Sequence, residues 1–228
     1  MTKQSIQLAT APDLVEQVYA RLLDAISEGS LQPGTRLNQE ELAAGFSVSR
    51  QPVLQALRLL KKDGFVEDAP GRGVQVTHLD VNWIAQVYQV RGSLDALAVR
   101  LAAEQGAEID PQVMRQGREL SQSGDVQAMI LADLAFHRAI YQASGNPLIA
   151  QSIDLHWHHL KRVMGAVLQS SHQRQTVWDE HEAIAHAIAA GDADQAVQLV
   201  QEHANEASVL LTARLSEQIH QLKKGAQA

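Results

Sequence analysis

The chain has 228 residues, 45% of them hydrophobic, no cysteine and a formal net charge of −7. That length suits one large or two small domains with enough chain to bury a core, and the lack of cysteine excludes disulfides and thiolate metal sites. No apolar run of signal-peptide type opens the chain and none approaches the roughly 18 apolar residues of a membrane span, so a cytoplasmic protein with no membrane partner is expected.

Residues 1–11 are polar and small, without period, and are expected to be a frayed tail. Over 12–27, Leu14, Val15, Val18, Leu22 and Ile26 recur at helical spacing, and Gly29 is a sensible stop. Leu31, Gln32, Pro33 and Gly34 form a turn. Leu42, Ala43 and Phe46 then carry a short apolar stripe, and Val48 and Ser49 make a tight connection. Val53, Leu54, Leu57, Leu59 and Leu60 give a second run at helical period. Two short helices joined by such a turn are a helix-turn-helix. After Lys61, Lys62, Asp63 and Gly64 the period changes: Phe65 and Val66, then Val74 and Val76, predict two short strands around Ala69, Pro70, Gly71, Arg72 and Gly73. A helix-turn-helix followed by a hairpin is a winged helix, predicted over 12–77.

The second helix of this motif is built to enter a groove. Ser49 is placed to cap it through its hydroxyl, and Pro52 comes early enough to cost no intrahelical bond. Ser49, Arg50, Gln51 and Gln55 project from its start and outer face, where such helices meet base edges and phosphates, and Arg50 leads. Arg72 would follow the backbone or enter a minor groove, and Gly73 would let the strand approach phosphate. Arg36 and Arg58 lie on or beside the same module. Residues 1–76 hold eight Lys or Arg against nine Asp or Glu, and residues 77–228 eleven against seventeen, so a local basic face for double-stranded DNA survives the acidic total.

The run GSLQPGTRLNQEELAAGFSVSRQPVLQALRLLKKDGFVEDAPGRGVQV resembles the DNA-binding domain of the GntR family of bacterial transcription regulators. The resemblance covers residues 13 to about 77 and rests on PG, LA, VSR-x-PV and the GRG of the wing. One place departs from the pattern: Leu54 and Gln55 stand where the family usually has Arg and Glu.

Residues 78–82 are a short polar junction, read as the linker. From there no strand pattern appears. Helices are predicted over 83–105, 111–120, 125–143, 147–170, 176–190 and 192–222, with Asp110, Asp125, Asn146 and Asp192 at starts and Gly106, Gly145 and Gly191 at stops. Six helices with short links describe an antiparallel bundle over 83–222, with 223–228 as a tail. The fold class expected is therefore mainly α, a winged helix-turn-helix followed by an all-helical bundle.

Nine of the ten histidines fall in the second part. Asp133 and His137 are four apart on one helix, about 40° around its axis, and point the same way. His181 and His203 lie about ten residues on either side of the turn at 191–192, which sets them at the same height on antiparallel neighbours. Three imidazoles and a carboxylate without thiolate suit Zn, Ni, Co, Fe or Mn. His156 and His159 share a face, and one of them, His159 by preference, is expected to reach the cavity. Arg91 could clamp an effector carboxylate or simply pair with Asp95 on the helix surface. Trp157 and Trp178 read as core, and His186, about 140° from His181, as surface.

DLAFHRAIYQASGN, EHEAIAHAIAAGDADQA and the later EHANEA resemble the FCD effector domain of the FadR-like branch of the GntR family, over about 81–215. The resemblance implies Asp133, His137, His181 and His203 as divalent-metal ligands with a small carboxylic acid bound over the metal. It also implies a regulator that is no enzyme, reading a two-fold operator as a homodimer. Two other readings stay open on residues alone: a helical metalloenzyme, with Glu180, Glu182 or Glu202 as base, and a dimerisation bundle whose metal is only structural.

Overall fold

The computed structural model describes residues 14–168 and 174–225, and the predicted 1–11 tail lies outside them. The chain divides between His78 and Leu79 into two units. The first begins with α1 (Leu14–Ser27), which buries Val18, Leu22 and Ile26 and packs on α3 (Arg50–Lys62). Between them come β1 (Arg36–Leu37) and α2 (Gln39–Gly45), the latter started by Asn38, whose side chain accepts from Glu40 N. The α2–α3 turn passes through Ser47, the only non-glycine at positive φ (55°) among the described residues. The inner face of α3, Val53, Ala56, Leu57 and Leu60, is buried, whereas Leu59 is 40% exposed.

The wing differs from the predicted hairpin. It is a three-stranded antiparallel sheet of order β1-β3-β2, with β2 at Val66–Asp68 and β3 at Val74–Val76. Arg36 pairs with Gln75 and Leu37 with Val74, while Val66 pairs with Val76. A two-residue strand carries no period, so β1 was legible only as the end of a turn. Gly71 and Gly73, both at φ 92°, turn the tip; that conformation is open to glycine and strained for other residues.

The second unit holds α4 (Val81–Glu104), α5 (Pro111–Ser121), α6 (Val126–Ala143), α7 (Pro147–Val167), α8 (Arg174–Ala189) and α9 (Ala193–Gly225). Asp80, Asp110, Asp125 and Asn146 cap α4 to α7 through their side chains, each accepting from a backbone N–H of the first turn. Because Asp80 does so, α4 starts two residues before the predicted position, inside the expected 78–82 linker. At the other end α9 runs to Gly225, past the expected stop at 222. The core is laid down by residues such as Phe136, Ile140, Ile153, Leu160, Ile184 and Val200, all at most 1% exposed. Two glycines permit close approach. A Cβ on Gly92 of α4 would lie 3.6 Å from Ala204 Cβ of α9, while one on Gly117 of α5 would lie 1.7 Å from the Trp178 ring of α8. No helix among the described residues is long and apolar enough to cross a membrane.

Candidate functional site

In the first unit, the start and outer face of α3 are open. Ser49, Arg50, Gln51, Gln55, Arg58, Arg72, Gly73 and Arg36 are all exposed. Ser49 is the N-cap residue, but its hydroxyl makes no capping bond, which corrects the expected role. Arg50 pairs with Glu40 at 2.8 Å, both side chains about two-thirds exposed; such a pair is worth little in water, so a phosphate or base edge can take its place. Arg36 instead works within the protein, donating from Nη2 to Pro70 O at 2.6 Å and so tying β1 to the wing tip. Leu54 is half-buried, so the departure from the family pattern replaces a cation with packing surface.

In the second unit Asp133, His137, His181 and His203 converge. One ligand atom from each lies within 4.8 Å of all the others. The helices explain the meeting: Asp133 and His137 are one turn apart on α6, and α8 and α9 pack as antiparallel neighbours that carry His181 and His203. His137 and His181 are fully buried and His203 is 5% exposed. Phe136 stacks on His181 with centroids 4.0 Å apart, and Trp178 meets it edge-on at 4.8 Å. Neither ring nitrogen of His181 makes a hydrogen bond; Nε2 lies 3.5 Å from Asp133 Oδ1. Leaving two such atoms dry is costly, about 1–3 kcal/mol for each unsatisfied group, unless a further partner is bound.

Burial pushes the His137 and His181 pKa values well below 6.5, and Arg91 together with the neighbouring imidazoles adds to the shift. Both rings are therefore neutral at pH 7, the state a metal ligand needs. His203 Nδ1 contacts Glu180 Oε2 at 2.7 Å, which orients the ring and leaves Nε2 for coordination. The donor set fits a divalent metal of the first transition row.

Arg91 resolves its two sequence-level alternatives in an unexpected way. The pair with Asp95 forms, Nε to Oδ2 at 3.1 Å, yet both side chains are 1% exposed, so it is buried rather than on the helix surface. Nη2 of Arg91 also lies 2.6 Å from His137 Nε2, and the guanidinium sits 4.3 Å from the Trp157 ring centroid. Asp95 additionally accepts from the Tyr141 hydroxyl at 2.5 Å. Burial, the largest single influence, would lower the Arg91 pKa, but Asp95 together with Tyr88, Tyr141 and Asp133 outweighs it and the net shift is upward.

A cavity of about 250 Å³ opens beside the cluster, its wall including Arg91, Asp133, Glu180 and His203. His159 is not among its lining residues; it is buried against Trp83, with centroids 4.1 Å apart, so the position expected to reach the effector is taken up by packing. His156 also lies against Trp83, at 6.3 Å. Trp157 and Trp178 are core residues, and His186 is exposed. Of the glutamates beside the ligand histidines, Glu182 is held by Arg118 and Glu202 by Gln198. Tyr88 and Tyr141 escaped the sequence reading; the available signal was that Tyr88 lies three residues before Arg91 on one face of α4.

Comparison with known proteins identifies both units. Residues 14–76 match the bacterial regulatory proteins of the gntR family, and residues 86–206 match the FCD domain. The chain is 26% identical over 199 residues to the HTH-type transcriptional regulator YdhC of Bacillus subtilis, covering 83% of this chain and 87% of the relative. With the HTH-type regulator LutR of the same organism it is 28% identical over 226 residues, 85% of this chain and 99% of the relative. The fold of Escherichia coli McbR/YncC superposes with a TM-score of 0.72 at 22% identity, covering 90% of this chain and 98% of that one. These relatives are regulators rather than enzymes, and the chain belongs to the GntR family of DNA-binding transcription regulators, with an FCD domain as its helical unit.

Proposed function

We propose that this regulator holds a divalent metal through Asp133, His137, His181 and His203, and that a small carboxylate bound beside it sets operator affinity. The observation that carries the reading is the buried, hydrogen-bond-free pair of nitrogens on His181 within a four-donor cluster. When bound, the metal supplies positive charge and open coordination positions for a carboxylate oxygen. Arg91 is the second element. Its Nη2 lies against His137 Nε2. With Nε held on Asp95, the guanidinium would stand beside a metal held by these residues and would offer a second donor to a carboxylate oxygen.

On the DNA side, Arg50, Gln51 and Gln55 would read the major groove, with Ser49, Arg58, Arg72 and Gly73 at the backbone; Arg36 would act by fixing the wing. A homodimer is supported by α4, where Trp83, Val90 and Leu97 recur every seven residues and are 37%, 48% and 42% exposed. That is the spacing of a helix–helix seam. An effector shifts operator binding only if it binds the DNA-competent and incompetent states with different free energy.

The test has two parts. Elemental analysis of dialysed protein should find one transition metal per chain, lost in His181→Ala/His203→Ala with helical content retained; metal surviving the double change would refute the ligand set. Fluorescence anisotropy with promoter DNA should then respond to carboxylic acids in the metal-loaded protein. A metal that raises the melting temperature while no acid alters DNA binding would mark it as purely structural.

A further inference from the structure

We infer that the effector is a monocarboxylate with an apolar tail, rather than a hydroxy acid or a di- or tricarboxylate. The inference rests on the effector reading above and narrows it from the wall of the cavity. At about 250 Å³, the space equals roughly eight water volumes at about 30 Å³ each, so it takes an acid of on the order of eight non-hydrogen atoms.

Polar chemistry clusters at the ligand group, where Arg91, Asp133 and His203 share the wall with the Tyr88 hydroxyl. That hydroxyl is buried with no acceptor for its proton, and a carboxylate oxygen is such an acceptor. Away from the group the wall turns apolar. Along α6 it continues through Ile130 and Met129, along α7 through Met164, and along α9 through Ala207, Leu210 and Leu211. From His203 to Leu211 is eight residues, about 12 Å of helix. Among the described residues, the polar side chains on this part of the wall do not host a second charge. Ser121 already donates to Arg118 O at 2.7 Å, Thr176 is neutral, and Glu206 repels an anion.

Charge leads to the same ligand class. Arg91 is the only Lys or Arg lining the cavity among the described residues, and Asp95 already holds it, whereas Asp133, Glu180 and Glu206 are acidic. One bound metal and one arginine can accommodate one carboxylate. Among the described residues a second would lie beside Leu, Met and Glu, with a desolvation cost that none of them repays. Hydroxyls of a sugar acid would lose water for the same methyl and thioether surface, whereas methylenes gain from it.

The decisive experiment is calorimetric titration of the full-length protein, reloaded with Zn(II) and desalted, with butyrate, hexanoate, octanoate, malate and citrate. Burial of a methylene is worth about 0.8 kcal/mol, or about fourfold in Kd. Hexanoate should therefore bind about 16-fold tighter than butyrate, octanoate tighter again until the cavity is full, and malate and citrate at least tenfold weaker than hexanoate. Ala207→Leu, which fills the apolar part, should abolish the gain from butyrate to octanoate. If that variant does not fold, the wild-type series decides alone. A flat series, or malate or citrate binding tighter than hexanoate, overturns the apolar-tail assignment and leaves the effector reading standing. If none of the five acids binds, the effector reading fails and takes this inference with it.

Discussion

Gly117 offers a test of how the metal group is held in place, because it touches none of the ligands. It lies inside α5, where glycine normally costs about 1 kcal/mol relative to alanine, so Gly117→Ala would ordinarily stabilise the helix. Here the added Cβ would stand 1.7, 2.1 and 2.2 Å from three atoms of the Trp178 ring. To reach even 3.4 Å the two must part by up to 1.7 Å. Trp178 is only 3% exposed, packs on Phe136 and His181 and lines the cavity, so a displaced ring presses on a proposed ligand or moves into the effector space beside it. Overpacking of this kind costs about 1–3 kcal/mol, against the propensity gain of about 1. The expected outcome is a lower urea midpoint together with weaker metal binding by competition with a chromophoric chelator. Gly165→Ala on α7 is the control: its Cβ would meet nothing closer than Gln127 Nε2 at 3.6 Å, so it should keep or slightly raise stability. A Gly117→Ala protein as stable as the parent, with unchanged metal affinity, would refute the claim that Trp178 wedges His181 into position.

Arg50→Ala should weaken binding to a cognate promoter by about 1–3 kcal/mol if the guanidinium makes a bidentate base contact; unchanged anisotropy titrations would remove Arg50 from the interface. Stability of the chelated protein should fall as pH drops below 6.5. His137 and His181 stay neutral in the fold, chiefly through burial, while the unfolded chain protonates them with ordinary pKa values. The unfolded state then holds more protons, and stability is lost on acidification and not above pH 6.5. At pH 5.5 the two together give at most about 3 kcal/mol, and a urea midpoint constant from pH 7.5 to 5.5 would contradict the neutral buried pair. Val90→Glu/Leu97→Glu should shift light-scattering mass from dimer to monomer with helical content retained, and an unchanged dimer would place the seam elsewhere.

What the sequence by itself determined were features that local rules govern. The α3 period of Val53, Leu57 and Leu60, the Asp and Asn caps of the bundle and the glycine stops are properties of neighbours along the chain. They fix the winged-helix and bundle elements to within a few residues. The i,i+4 spacing of Asp133 and His137 is equally local, and the symmetric placement of His181 and His203 about the α8–α9 turn follows from antiparallel packing across a short link. Only the tertiary structure decided that β1 joins the wing, since two residues cannot declare a strand without their partners Gln75 and Val74. It likewise decided that Arg91 and Asp95 are buried against His137 and Tyr141, and that His159 goes to Trp83 rather than the cavity. The reason is physical: spacing gives the direction of a side chain around its own helix, whereas burial, partner and pKa depend on which other helix covers that face.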